Sequence, residues 1–274
     1  MTGQAMGGLP LSRSGLSALE VALRVAEEAG RTLVDKLHGE KQVSHKGRAN
    51  LVSDVDKLAE RQIIAGLRRE FPDAGFLAEE SEPVASNSGY TWIIDPLDGT
   101  RNYVMEIPFF SMVIALAKGD DLLLGLTYDP VRRDMFQAVK GQGAFLNGEP
   151  IHVSAKTELE QALLGYDLGY VDEAAGAAIE MMLRLWPNLQ GMRMMGSAAL
   201  GLAYAACGKW DLYFHHSLAP WDLASGLLLV REAGGVVTDK HAGPATLRSE
   251  SVIATGRGLH ANFLKATEGM RWRR

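Results

Sequence analysis

Apolar positions recur at helical spacing twice in the first quarter of the chain. From Ser14 to about Leu37, the residues Leu16, Leu19, Val21, Ala22, Val25, Ala29 and Leu33 fall on one broad face, which predicts an amphipathic helix. Leu58, Ile63, Ile64 and Leu67 repeat in the same way from about Val55 to Glu70, and Phe71-Pro72 stops this second helix. The stretch KGRANLVSDVD between them is rich in charge and reads as a polar loop. After Pro72 the texture shortens to β-prone runs: GFLAEES, YTWIID, FSMVIALAKGDDLLLGLTYDP and DMFQAVKGQGAFLNGEPIHVS. Turn residues punctuate them at Gly119-Asp120-Asp121 and Asn147-Gly148, which predicts antiparallel hairpins.

Past about Ser154 helical and strand patterns alternate. EAAGAAIEMMLRLW reads as a helix ended before Pro187, and GSAALGLAYAACG and WDLASGLLLVREAG read as helices closed by glycine. DLYFHH, GGVVTD and SVIAT read as strands. The expected organisation is a flexible tail over 1–14, an α+β part over 15–152 with an antiparallel sheet, and an α/β part over 153–274.

Composition narrows the function classes. The 274 residues are 47% hydrophobic and 22% charged, enough to bury a large core without a signature of disorder. The net charge of -5, with no basic block beyond the final Trp-Arg-Arg, argues against nucleic acid or membrane surfaces as partners. The start lacks a charged lead followed by an apolar run, so the chain reads as cytoplasmic. The single Cys207 sits among small residues, the setting of a buried structural thiol, and excludes both an intrachain disulfide and a cysteine-cluster metal site.

WIIDPLDGT at 92–100 raises the chemical question, because two aspartates emerge at the end of a buried-looking strand. Pro96 and Gly99 would set their geometry rigidly. Two carboxylates converging at about 4 Å repel by about 4 kcal/mol at an effective dielectric near 20, so a cation would offset them. Taken alone, the tetrapeptide reads first as a solvated turn. Glu79 and Glu80 close GFLAEES, and Asp222 follows Trp221 at the head of an apolar helix. These too have plainer readings: solvated acids, and a helix N-terminal acid stabilised by the dipole. An all-oxygen set of Asp and Glu points to a hard cation such as Mg²⁺, which commonly works with phosphates.

GFLAEES, WIIDPLDGTRNYV and PWDLASGLLLVREAGG, in that order, resemble the signature segments of the inositol monophosphatase family. Ala78 and Ser225 are mild departures from its usual strings, and NLVSDVD, GQGAFLNG and GSAAL extend the resemblance over roughly 15–255. The resemblance implies a layered α-β-α-β-α sandwich of the inositol monophosphatase and fructose-1,6-bisphosphatase type. It implies a phosphoric monoester hydrolase, with two or three Mg²⁺ ions held by Glu79, Asp95, the Leu97 carbonyl, Asp98 and Asp222. Thr100 and Asp56 would orient and deprotonate the attacking water, assisted by Glu79 as a metal ligand, and the Gly99 and Thr100 amides would hold phosphate oxygens. Thr100 by itself reads equally as an N-cap.

The alcohol would be held by Gly196, Ser197 and Ala198. His215 stands where the family has an acid, and is a donor or acceptor capable of carrying charge. His215 and His216 otherwise simply end a strand. The implied substrate is a small phosphorylated metabolite, inositol monophosphate first. Histidinol phosphate, fructose 1,6-bisphosphate and 3′-phosphoadenosine 5′-phosphate are the alternatives, and a catalytically silent metal-binding interaction protein is the reading from another class. Inhibition by lithium and assembly as a homodimer are further implications.

Overall fold

The computed structural model describes residues 8–45, 47 and 51–274. The first helix, α1 (Ala18–Lys36), begins later than its apolar pattern because Ser17 caps it: Ser17 Oγ accepts from the Glu20 N–H at 3.3 Å, and Glu20 returns to the Ser17 N–H at 2.7 Å. Strands β1 (Val43–His45) and β2 (Leu51–Ser53) pair antiparallel and lead into α2 (Asp54–Glu70). Then follow β3 (Gly75–Ala78), β4 (Tyr90–Asp98), the short α3 (Thr100–Val104), β5 (Ser111–Lys118), β6 (Asp121–Asp129), β7 (Asp134–Val139), β8 (Ala144–Leu146) and β9 (Glu149–Ile151). The remainder holds β10 (Leu163–Tyr166), α4 (Asp172–Leu185), β11 (Gly191–Arg193), α5 (Ala198–Ala206), β12 (Leu212–His216), α6 (Pro220–Glu232), β13 (Val236–Thr238), β14 (Ser251–Thr255) and α7 (Arg257–Ala266).

Strands β3 to β9 form one seven-stranded sheet in chain order, and the five others form a second in the order β11-β10-β12-β14-β13. Alternation along each strand sorts the side chains into layers. Trp92, Ile94, Ile114, Leu116, Leu124 and Leu126 face α1 and α2 in one core cluster. Their neighbours Ile93, Ala115, Ala117 and Ala138 face α5 and α6, which also cover Tyr213, Val252 and Ala254 of the second sheet. The far side of that sheet, with Leu164, Leu212, Phe214 and Ile253, packs on α4 and α7. The result is the expected α-β-α-β-α sandwich.

The middle layer lies very close to the first sheet. A Cβ on Gly125 of β6 would stand 2.8 Å from Ser225 Cα of α6, so only glycine permits the approach. The Thr127 and Ser225 hydroxyls hydrogen-bond across the same contact.

Several expectations are corrected. Residues 8–14 are packed instead of forming a loose tail: Leu9 is buried, and Ser14 bonds Glu70 Oε2 through its N–H at 3.2 Å and its hydroxyl at 2.7 Å. Residues 1–7 of that segment lie outside the described residues, as do 46 and 48–50 of the polar loop. The described end of the loop is strand β2, and α2 starts at Asp54 because Ser53 caps it. The first sheet is not wholly antiparallel, since β3 runs parallel to β4. The hairpins do turn at Gly119-Asp120 and at Asn147-Gly148, the latter with φ of 51° and 86°.

Candidate active site

Four acids stand at the ends of elements from two layers, the first sheet and the helices that cover it. Asp95 and Asp98 close β4, Glu79 follows β3, and Asp222 stands in the first turn of α6. Asp95 is buried, and its proton affinity is raised well above the ordinary aspartate value, by burial first and then by Glu79, Asp98 and Asp222. The pattern WIID places Asp95 there: three residues of buried strand carry the carboxylate to the sheet's end.

Main-chain donors tie three of these carboxylates in place. Asp95 Oδ1 accepts from the Leu97 N–H at 2.9 Å. Asp222 Oδ2 accepts from Ala219 N–H at 2.7 Å, an N-terminal tie to α6. Asp98 lies at the N-terminus of α5, taking Ala198 N–H and Ala199 N–H at 3.0 Å each, with the hydroxyls of Ser197 and Ser111. Among the described residues its Oδ1 receives a single donor, which leaves a lone pair for a further partner. Burial raises Asp98, against the pull of these donors, and pushes Asp222 up to about 8 with help from Asp98 and Glu79. Among the described residues, no three His, Cys, Asp or Glu side chains converge into a ready-made cation cage. Like charges have instead settled on the nearest N–H groups. The donor set is nonetheless all oxygen, with raised proton affinities, and therefore suits a hard cation.

Thr100 and Asp56 are joined. Asp56 is the third residue of α2 and forms a capping box, its Oδ2 accepting the Ser53 N–H at 2.9 Å and the Ser53 hydroxyl at 2.5 Å. That fixes Oδ1 toward Thr100, whose hydroxyl lies 2.9 Å from it and 3.0 Å from the Leu97 carbonyl. Asp56 is buried, and burial raises its proton affinity despite the Ser53 and Thr100 hydrogen bonds. The N-cap of α3 is Gly99, with φ of 92°, so Thr100 is not a cap and its hydroxyl serves this pair instead.

A cleft of about 360 Å³ opens over these groups, bordered by Asp98, Gly99, Thr100, Gly196, Ser197, Ala198, His215 and Asp222. Ser197 and Ala198 reach the cleft wall while committed to Asp98. His215 is the penultimate residue of β12 and also lines the cleft, and burial pushes its pKa down to about 3. The expectation that it could carry charge is therefore corrected: the ring is neutral.

Four cleft residues named here, Asp167, Arg101, Tyr170 and Asn102, were missed from the sequence. Asp167, after β10, takes Gly196 N–H at 2.7 Å and Tyr213 OH at 3.0 Å, and burial pushes it up to about 7. Arg101 lies 5.1 Å from the ring centre of Tyr170, and both border the cleft. The available signal was an aspartate directly after the apolar run ALLGY and before Gly169, the same grammar as WIID. Asn102 fastens the cleft's two sides, its Nδ2 donating to Phe109 O and Met195 O at 2.7 Å each.

Residues 16–270 match the profile of the inositol monophosphatase family. The chain is 37% identical over 259 residues to inositol monophosphatase 3 of Solanum lycopersicum, covering 90% of this chain and 95% of that one. It is 38% identical to the Nus factor SuhB of Haemophilus influenzae, over 86% of this chain and 90% of the relative. Among solved structures, the extragenic suppressor protein suhB of Bartonella henselae superposes with a TM-score of 0.88 at 37% identity, over 92% of this chain and 98% of that one.

Proposed function

The chain belongs to the inositol monophosphatase family, and from that premise we propose that it is a Mg²⁺-dependent phosphomonoesterase acting on a small phosphorylated alcohol, inositol monophosphate first. The observation that carries this reading is the joining of Thr100 to Asp56 beside a cleft walled by Asp98 and Asp222, with Asp95 and Glu79 in their electrostatic field. Glu79, Asp95, the Leu97 carbonyl, Asp98 and Asp222 are the proposed Mg²⁺ ligands. Mg²⁺ held there supplies positive charge that lowers the pKa of water and offsets the charge of the phosphate.

The chain's own groups do the rest. Thr100 positions the attacking water through its hydroxyl, and Asp56, its proton affinity raised by burial, takes the proton through that contact. The amides of Gly99 and Thr100 hold phosphate oxygens at the start of α3. On the opposite wall, Ser197 and Ala198 fix Asp98, and neutral His215 offers a hydrogen bond to an uncharged hydroxyl of the alcohol. A volume of about 360 Å³ accommodates a single sugar-sized ring with its phosphate.

The test is a phosphate-release screen with Mg²⁺ over inositol monophosphates, histidinol phosphate, fructose 1,6-bisphosphate and 3′-phosphoadenosine 5′-phosphate, ranked by kcat/KM. An inositol monophosphate at the head of the ranking supports the proposal, and a higher rank for another ester replaces the substrate while keeping the chemistry. The name Nus factor on one relative supports a second reading, a protein acting by interaction alone. Absence of release from every ester in the screen would favour it. Lithium inhibition and a homodimer belong to the same proposal. The exposed Ile179, Leu183 and Trp186 supply an apolar face for a second copy. Activity unchanged in high-millimolar LiCl, or a monomer mass by light scattering, would remove the respective point.

A further inference from the structure

A second cavity, of about 190 Å³, is bordered by the first turn of α4, the end of β12 and the C-terminal segment. His216 forms part of its wall and is only 5% exposed. Its Nδ1 lies 3.0 Å from the indole N–H of Trp272. An indole only donates, so Nδ1 must be the acceptor, and the neutral ring keeps its proton on Nε2. That Nε2–H is buried and, among the described residues, has no hydrogen-bond partner. Burial lowers the ring's proton affinity, and the Leu168 carbonyl opposes this from nearby without meeting hydrogen-bond geometry. A buried donor left unmade in this way is costly, and it marks a place for an acceptor.

Everything else on the wall favours the same kind of occupant. Val171 stands at the N-cap of α4 with no side-chain oxygen to offer, so the first-turn N–H groups beside the cavity have no side-chain cap. Lys240, Arg271 and Arg274 border the cavity, and Glu173 is the acidic side chain on its wall. Lys240 Nζ meets the main-chain oxygen of Arg274 at 2.7 Å, and the Arg274 guanidinium meets that of Gly269 at 2.9 Å. Arg271 makes a loose ion pair, Nε to Glu180 Oε2 at 3.7 Å.

We propose that this cavity binds a tetrahedral oxyanion of the size of inorganic phosphate or sulfate. Its oxygens accept from His216 Nε2–H and from the first turn of α4, and Arg271 and Lys240 balance its charge. The site is separate from the catalytic cleft and stands whether or not the chain is a phosphatase. It borders that cleft through one peptide unit, since His215 and His216 point to opposite faces of β12.

The experiment is a titration of the ¹⁵N-histidine-labelled protein with sodium sulfate, with ionic strength held constant by NaCl and the side-chain signals of His215 and His216 followed by NMR. The expected result is a saturable shift of the His216 Nε2–H signal with half-saturation at about 1–10 mM or below. Lys240→Gln and Arg271→Gln, at positions remote from the fold's core, each raise that concentration about fivefold or more. His215 is the internal control for sulfate in the catalytic cleft. A shift confined to His215, an unmoved His216 at about 50 mM sulfate, or half-saturation unaltered by both substitutions would overturn the proposal.

Discussion

Replacing Asp222 by Asn should stabilise the metal-free protein while removing a proposed metal ligand. The substitution deletes one negative charge from the cleft and keeps an oxygen for the Ala219 N–H. Burial, with Asp98 and Glu79 adding to it, pushes the Asp222 carboxyl from 3.8 to about 8. A carboxyl raised in this way holds its proton longer in the folded state than in the unfolded one. Its contribution to stability is therefore intact below pH 3.8, falls as pH rises, and is fully lost above about 8. At about 1.4 kcal/mol per pH unit, the loss reaches about 4 kcal/mol by pH 7. Urea unfolding in EDTA, followed by far-UV circular dichroism from pH 4 to 8, measures the difference. The Asn variant should exceed the parent by about 2–4 kcal/mol at pH 7–8, with the gap closing toward pH 4. Added Mg²⁺ should stabilise the parent and leave the variant nearly unmoved. An Asn variant less stable than its parent at pH 8 in EDTA, or a gap that ignores pH, would refute the reasoning.

Three other outcomes follow from particular contacts. Thr100→Val removes the hydroxyl between Asp56 and the Leu97 carbonyl, and kcat should fall about 100-fold with KM little changed; a kcat within threefold of the parent would remove Thr100 from the proposed role. His215 stays neutral down to about pH 3, so His215→Ala should alter the ranking of alcohols while leaving the shape of kcat/KM against pH unchanged between 5 and 9; loss of a limb in that range would contradict the assignment. Gly125→Ala places a methyl group 2.8 Å from Ser225 Cα and should cost about 2–3 kcal/mol, read as a lowered urea midpoint; a near-neutral effect would mean that α6 and β6 separate readily.

The legible parts of the fold were those whose burial is one-sided. α1 and α2 each bury one face against a sheet, so their 3.6-residue spacing survives in the sequence. β10 and β11 were not seen because they are four and three residues long, too short to show a period, and α7 is a ten-residue helix whose apolar face is interrupted by polar residues. The packing of residues 8–14 rests on Leu9 and on hydrogen bonds to Glu70, contacts more than fifty residues apart that no local pattern records. In the site, Asp95, Asp98 and Thr100 were readable because one rigid turn carries them. Asp167 and Arg101 were not, since their part depends on how β10 and α3 face each other across the cleft.

The most direct measurement is phosphate release from inositol 1-phosphate by the parent and by Asp95→Asn, each after EDTA treatment and again with Mg²⁺ restored. Release by the parent is expected only with Mg²⁺, with a loss of about a thousandfold or more in the variant, equivalent to about 4 kcal/mol of transition-state stabilisation. Undiminished hydrolysis by Asp95→Asn, or by the parent in EDTA, would contradict it.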